Sequence, residues 1–330
     1  MSNPQFDSRR RLRHVLTTEG WSRALLTQVL DRIDAIAQAD RAGSLPHHAS
    51  LHGVLRDTAT DVACRIVFAP LAQSGPAHDA LRLAAVWGGW TLHQVPSHAL
   101  TSFDSPADVL ARVSQTDPAA DVLVIAHPAS GMGYALAAVA PPHLKIVNVL
   151  DGAHAAPLAA LAELAILRRR LPDLHTRVLS LSGDLVGDAR LRAFIHMLTT
   201  LGVPRVNVVH AGAHVPVGAS QLGVHVVPAG EQEAARVGVD ALIGFPVPPD
   251  LGQAVTLHGL PAEPDIDQAP WRDPGLTRSA PGLPGTHREQ DGKGACDESD
   301  TRDTHGAHDR PVRTLASVFC AVILQLMAPT

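Results

Sequence analysis

The sequence predicts an α/β protein with two domains, each built on a doubly wound parallel sheet. Short apolar runs of strand length alternate with amphipathic segments of helix length, which is the pattern of βαβ units. The alternation occurs in two series, and the helix-like segment APLAALAELAILRRRL separates them. The chain has 330 residues, which is enough for two domains.

The first series predicts a domain over residues 1–152. It opens with a helix in SRALLTQVLDRIDAIAQAD, for which Ser22 is the expected N-cap. Strands are predicted in ACRIVFA, TLHQV, DVLVIAH and KIVNVL, and helices in AHDALRLAAVWGG, PADVLARVSQ and GMGYALAAVA. Gly88 and Gly89 are expected to close the second of the four helices. Such alternation favours a parallel sheet with right-handed crossovers.

The second series predicts another α/β domain over residues 173–250, after a bridging helix at 153–172. The bridging segment covers about four helical turns and has basic residues in its last turn. Strands are predicted in RVLSLSG, RVNVVHA, GVHVVPA and DALIGFP, and helices in DARLRAFIHMLTTLG and GEQEAARVG.

The segment 251–311 differs in composition from the rest of the chain. It is rich in Pro, Gly, Asp and Arg and has almost no aliphatic periodicity, which predicts a disordered insert. The last segment, 312–330, contains VRTLASVFCAVILQLM, an apolar helix that needs a buried position.

Composition excludes several classes of function. The net charge is −5, so there is no broad basic field for nucleic acid. No apolar run reaches the roughly 18–20 residues of a membrane span, and no signal-peptide pattern is present, which predicts a cytoplasmic protein. The cysteines Cys64, Cys296 and Cys320 are far apart and are interpreted as two buried core thiols and one loop thiol.

Four stretches resemble one enzyme family. LDGAHAAPLAALAELAIL is similar to the G-D-G-x-x-x-H-P-T-Q-x-L-L-D segment of aspartate carbamoyltransferases, and VLVIAHPASG to their apolar strand ending in R-H-P. LSLSGDLVGDARLRAFIHMLTTLG resembles their V-G-D-x-x-x-S-R-V-A-R-S strand and helix, and residues 6–32 resemble their opening helix. The order and spacing agree, and the resemblance covers residues 7–250 and 312–328.

The resemblance implies a fold, an activity and an assembly. It implies two α/β domains with an active site between them, a terminal helix that packs back on the first domain, and a homotrimer. The family transfers a carbamoyl group from carbamoyl phosphate to aspartate, and no metal or organic cofactor takes part. The chemistry needs cations for the phosphate and the carboxylates, and donors that polarise the carbonyl.

The resemblance can be followed position by position at the family's substrate contacts. The phosphate turn S-T-R-T-R falls on residues 71–75, and the Arg before H-P falls on Ala126. H-P-T-Q falls on 156–159, the aspartate-contacting Arg of S-R-V-A-R-S on Ala189, and R-x-Q on 246–248. The positions thus assigned to the substrate site are Leu71, Ala72, Gln73, Ser74, Gly75, Ala126, His127, Ala156, Ala159, Ala189, Pro246 and Pro248.

Because nearly all of the expected cations and donors are replaced, the sequence predicts a catalytically inactive homologue. Such a chain would serve as a structural or regulatory subunit, either as a homotrimer or in a mixed oligomer with an active paralogue. The alternative is a divergent enzyme or binding protein that takes a less anionic ligand in the same place.

The histidines suggest other sites, which remain open alternatives. His210 and His214 have i, i+4 spacing, but no third metal ligand is near them in the sequence. His154 is interpreted as a polar residue facing the substrate site, with a general base as the alternative. His127 keeps its H-P context, and we expect it to hold the end of its strand.

Overall fold

The computed structural model describes residues 3–45, 63–71, 76–210, 212, 215–245, 256–257 and 304–328. The first domain contains a four-stranded, fully parallel sheet with the strand order β2-β1-β3-β4. Its elements are α1 (Arg23–Arg41), β1 (Arg65–Pro70), α2 (Pro76–Gly88), β2 (Thr91–Gln94), α3 (Pro106–Thr116), β3 (Val122–His127), α4 (Met132–Val139) and β4 (Lys145–Asp151).

Two local signals in the sequence are confirmed at helix ends. The hydroxyl of Ser22 accepts a hydrogen bond from the backbone N–H of Leu25 at 3.1 Å, so Ser22 caps α1 as expected. Helix α2 ends at Gly88, and Gly89 follows with φ of +65°, a conformation that glycine adopts without strain.

Helices cover both faces of the first sheet. Ile66, Phe68 and Val124 face the core shared with α1, α2 and a later helix, α8 (Thr304–Met327). The neighbouring residues Val67 and Ile125 face the opposite core, formed with α3 and α4. All six residues of β3 are buried, which explains why its sequence is continuously apolar and does not alternate.

The second domain follows the bridging helix α5 (Pro157–Arg170) and has a five-stranded sheet with the order β7-β6-β5-β8-β9. Four of its strands are parallel and β9 is antiparallel. Its elements are β5 (Val178–Gly183), α6 (Ala189–Leu201), β6 (Arg205–His210), β7 (His225–Pro228), α7 (Gln232–Arg236), β8 (Ala241–Gly244) and β9 (Thr256–Leu257). Short 3-10 turns occur at Ser97–Ala99, Leu174–Thr176, Ala219–Leu222 and Ala229–Glu231.

One apolar core continues from the first domain into the second. Leu179 and Leu181 of β5 belong to the same cluster as the helices α1, α5 and α6 and the first-domain residues Ile66 and Phe68. The opposite face of the second sheet has a smaller cluster around Val209. The prediction of two parallel-sheet domains joined by a long helix is therefore confirmed.

Helix α8 returns to the first domain and packs against α1 and α2. Its residues 315–323 are almost completely buried, and the Cys320 thiol lies 3.6 Å from the carbonyl oxygen of Ala84. Arg313 also pairs with Asp40 of α1 at 2.6 Å. The predicted return of the last helix to the first domain is confirmed, and Cys64 and Cys320 are buried thiols as expected.

Two described elements lie inside the range assigned to the insert. Strand β9 is only two residues long, so it has no periodicity to read in the sequence. Helix α8 begins at Thr304 and continues through Pro311, although a proline usually marks a helix boundary. The rest of 251–311, including Cys296, lies outside the described residues.

Within the part of the chain that the structure describes, no helix is long and apolar enough to span a bilayer.

Candidate functional site

The carboxyl ends of the first-domain strands bring several of the sequence-predicted positions to one edge of the sheet. Pro70 of β1 is in register with Ala126 of β3, and His127 is in register with Asp151 of β4. The N–H of Leu71 donates to the carbonyl of Ala126 at 2.8 Å. In open α/β sheets, ligands bind outside the carboxyl ends of parallel strands, so this edge is the candidate site.

The alanines assigned to the substrate site are enclosed in the protein. Ala126 has no exposed surface, Ala156 is 3% exposed and Ala189 is 5% exposed. Leu71 and Ala159 are partly buried. None of these five side chains can donate a hydrogen bond or carry charge. Six further positions, Ala72, Gln73, Ser74, Gly75, Pro246 and Pro248, lie outside the described residues.

His127 is fully buried at the end of β3. Its Nδ1 accepts a hydrogen bond from the N–H of Ala129 at 2.9 Å, and its carbonyl accepts one from Gly152 at 2.8 Å. Burial lowers the pKa of His127 and favours the neutral ring. A side chain at Gly152, where φ is +54°, would come within 2.6 Å of the Pro128 carbonyl oxygen. These contacts agree with the expectation that His127 holds its strand end.

Asp151 and His154 form a hydrogen-bonded pair at the end of β4. The Nδ1 atom of His154 lies 3.2 Å from Oδ1 and 3.3 Å from Oδ2 of Asp151. The Asp151 side chain is 1% exposed and also accepts hydrogen bonds from the N–H groups of Ala155 at 2.8 Å and Gly131 at 3.2 Å. Burial raises the pKa of Asp151, while His154 and the two amides oppose that rise. The carboxylate is thus fixed in position, and the His154 side chain remains 40% exposed.

Tyr134 of α4 lies beside this pair. Its ring and the His154 ring are in a T-shaped arrangement, with 5.9 Å between centroids and 73° between their planes. The Tyr134 hydroxyl lies 3.3 Å from the Thr17 hydroxyl, and burial raises the pKa of Tyr134 so that it keeps its proton.

A second acidic residue near the junction, Glu19, is 3.4 Å from His196 of α6, and this contact is the largest cause of the lowered pKa of Glu19.

The two arginines that follow Ala189 already have partners. Arg190 lies 3.8 Å from Glu163 of α5 and 3.5 Å from Asp188. Arg192 donates from Nη1 to the carbonyls of Leu185 and Val186 at 2.8 and 2.7 Å, and from Nη2 to those of Ala153 and His154. Because α6 belongs to the second domain, the Arg192 contacts place His154 at the junction between the domains.

The histidine pair at the end of β6 is only partly described. His210 is 4% exposed, its Nδ1 accepts from the N–H of Leu185 at 3.2 Å, and it lies 4.0 Å from Asp184. His214 is outside the described residues, so the i, i+4 pair remains a prediction. Among the residues that the structure does describe, no three His, Cys, Asp or Glu side chains are grouped for a metal ion.

Sequence reasoning missed Asp151, Tyr134 and Arg192 as members of the site. Asp151 carried a usable signal, because an acidic residue that ends a buried strand and precedes a histidine by three positions can reach its ring. Tyr134 and Arg192 carried none, since their neighbours come from distant parts of the chain.

Comparison with solved structures identifies the fold, although no family model matches the sequence. Aspartate transcarbamoylase from Trypanosoma cruzi in complex with N-(phosphonacetyl)-L-aspartic acid superposes with a TM-score of 0.64 at 17% identity, covering 99% of this chain and 100% of that one. Ornithine carbamoyltransferase from Thermus thermophilus gives 0.55 at 18% identity, over 70% and 73% of the two chains. The chain therefore has the fold of the aspartate and ornithine carbamoyltransferases.

Proposed function

We propose that this chain is an aspartate carbamoyltransferase-like protein of pyrimidine biosynthesis that does not transfer carbamoyl groups and acts as a structural or regulatory subunit. One observation carries the proposal. Ala126, Ala156 and Ala189 are buried at positions where the resemblance expects an arginine, a histidine and an arginine. Buried methyl groups at these positions cannot replace cationic or hydrogen-bonding side chains.

The expected loss of activity is large. A hydrogen bond to a charged group contributes about 1.5–3 kcal/mol, and loss of a single oxyanion donor lowers a rate by roughly 10²–10³. Arg190 and Arg192 are close in sequence to the missing arginine, but Arg190 pairs with Glu163 and Asp188, and Arg192 donates to four carbonyls. Recruiting Arg190 to a substrate would take the cation away from the largely buried carboxylates of Glu163 and Asp188, and recruiting Arg192 would break its hydrogen bonds to backbone carbonyls.

The assembly belongs to the same proposal. The resemblance implies a trimer, formed by this chain alone or mixed with an active paralogue, and we place it in the cytoplasm as the sequence predicts. Native mass measurement of the chain, alone and after mixing with an active carbamoyltransferase from the same cell, tests this directly. A particle that remains a monomer in both samples contradicts the subunit role.

Incubation of the purified chain with carbamoyl phosphate and aspartate is expected to yield no carbamoyl aspartate above background. The preparation must first be freed of the host's own carbamoyltransferase, and an added trace of active enzyme serves as the positive control. Calorimetry with N-(phosphonacetyl)-L-aspartate is expected to show no saturable heat. Turnover that co-purifies with the chain, or tight binding of the phosphonate, would refute the proposal.

The pair Asp151–His154 favours a second candidate, which is a divergent enzyme or binding protein for a less anionic ligand. The polar groups at the junction include carboxylates, imidazoles and a phenol, and the Arg192 guanidinium there is bonded to backbone carbonyls. A thermal-shift screen of neutral metabolites tests this candidate, because a bound ligand raises the melting temperature by mass action.

A further inference from the structure

We propose that His154, oriented by Asp151, is a general base at the domain junction and that Tyr134 is the hydrogen-bond donor for the carbonyl oxygen of an uncharged ester. This inference develops the second candidate function and is independent of carbamoyl transfer, which has its own assay.

The carboxylate determines which nitrogen of His154 can act. Asp151 is almost completely buried and is held by the N–H groups of Ala155 and Gly131, so its two oxygens stay beside Nδ1 of the ring. With Nδ1–H donating to this carboxylate, the lone pair is on Nε2. An imidazole in this tautomer accepts protons at Nε2, and the neighbouring carboxylate stabilises the cation that forms.

The ring of His154 is held from a second direction and remains accessible. The backbone carbonyl of His154 accepts a hydrogen bond from Arg192 at 3.3 Å, and the rings of His154 and Tyr134 pack in a T-shaped arrangement. The side chain is 40% exposed, so a small molecule can reach it. A histidine that served only to fill the core would be enclosed in the manner of His127, which has no exposed surface.

Tyr134 supplies the complementary group. Its raised pKa keeps the phenol protonated, and a hydroxyl bonded to Thr17 can accept from Thr17 while donating to a third atom. Tyrosine hydroxyls are among the donors that stabilise an oxyanion. Base and donor are neighbours, since their ring centroids are 5.9 Å apart.

The chemistry around the pair selects the class of substrate. Glu19 and Asp151 place negative charge at the junction, and Arg190 and Arg192 are engaged with protein partners. Arg192 keeps its positive charge, but its Nη1 and Nη2 atoms already donate to backbone carbonyls, so an anionic substrate would have to displace those hydrogen bonds and would lie near the carboxylates of Glu19 and Asp151. An uncharged ester has no such penalty, and its carbonyl oxygen matches the phenol donor.

The proposed reaction is hydrolysis, with water as the nucleophile. Nε2 of His154 takes a proton from water as the oxygen attacks the carbonyl carbon, and the carbonyl electron pair moves to the oxygen that Tyr134 holds. The tetrahedral intermediate then expels the alkoxide or phenolate, which takes the proton from the imidazolium. The products are a carboxylic acid and an alcohol or phenol.

The test uses 4-nitrophenyl acetate, a neutral chromogenic ester, with the full-length chain. We expect saturable hydrolysis, a loss of roughly 100-fold in kcat/KM for His154→Gln, and losses of at least about tenfold for Asp151→Asn and Tyr134→Phe. The exposed His143, which precedes β4 at the opposite end of the sheet, provides the matched control, and His143→Gln should keep the full rate.

Two results would overturn the proposal. One is a rate that rises linearly with ester concentration, since scattered surface histidines give this behaviour. The other is an equal loss of kcat/KM in the His154 and His143 variants.

A second experiment uses the unaltered protein, so that misfolding of a variant cannot explain its result. Diethyl pyrocarbonate transfers its ethoxycarbonyl group to a nucleophilic ring nitrogen of histidine and releases ethanol and carbon dioxide. Peptide mass spectrometry should find His154 labelled faster than His143, and the reverse order contradicts the proposal.

Discussion

Replacing Phe319 with alanine is expected to lower the free energy of unfolding by about 3–5 kcal/mol. Phe319 has no exposed surface, and it lies in the core that α8 shares with α1 and α2. Removing the ring takes away its transfer free energy and leaves a cavity between three helices that collapse only partly. Denaturant unfolding monitored by far-ultraviolet circular dichroism measures the change.

The matched control is Phe103→Ala, because the Phe103 side chain is 96% exposed on the turn before α3. Surface substitutions of this kind change the free energy of unfolding by at most about 0.5 kcal/mol. If the two alanine variants lose similar stability, the packing of α8 on the first domain is not as described.

Glu163→Gln is expected to stabilise the protein above neutral pH and to have little effect below pH 4.5. Glu163 lies on α5, its side chain is 18% exposed, and its Oε2 is buried without a hydrogen-bond partner among the described residues. Burial raises the pKa of Glu163 from 4.5 to about 7, although Arg190 opposes the rise. The folded state therefore binds more protons than the unfolded state between these values.

Because the folded pKa is the higher one, the stability that Glu163 contributes falls as pH rises from 4.5 to about 7. Glutamine stays neutral, so the variant avoids this loss, which is at most roughly 3 kcal/mol at pH 8. His14 has the opposite effect in the acid range, since burial lowers its pKa to about 4, and it acts equally in both proteins. The quantity to measure is thus the difference in unfolding free energy between variant and parent at each pH.

Glu233→Gln is the control for this series. Glu233 is 82% exposed and pairs with Arg236 on its own helix, so its replacement should change the unfolding free energy by at most about 0.5 kcal/mol at each pH of the series. A Glu163 variant that is less stable than the parent at pH 8, or one whose difference is constant with pH, would contradict the buried-carboxyl interpretation.

Local features of the sequence were sufficient for most of the fold. Strands such as β1 and β3 could be predicted because continuous apolar runs of this length are typical of strands buried between helices. Ser22 marks the start of α1 through its capping hydroxyl, and Gly89 marks the end of α2 through its positive φ. Pro311 misplaced the start of α8 in the sequence interpretation, because proline is usually a boundary and here lies within the helix.

The candidate site was less predictable, because its members meet across long stretches of chain. Ala126, Ala156 and Ala189 could be assigned only through a resemblance, since an alanine carries no chemical signal of its own. Thr17 approaches Tyr134 from a distant part of the chain, and Arg192 reaches the carbonyl of Ala153 from the second domain. Such neighbours depend on how the domains pack, which no local pattern encodes.

The position of α8 has a consequence for biogenesis. Among the described elements this helix is synthesised last, yet it covers apolar surface on α1 and α2, which are synthesised well before it. Until it emerges, the nascent chain presents an uncovered apolar face, which is a surface that chaperones bind and that promotes aggregation. Translation that stalls before Thr304 should therefore yield an aggregation-prone, protease-sensitive product instead of a folded first domain.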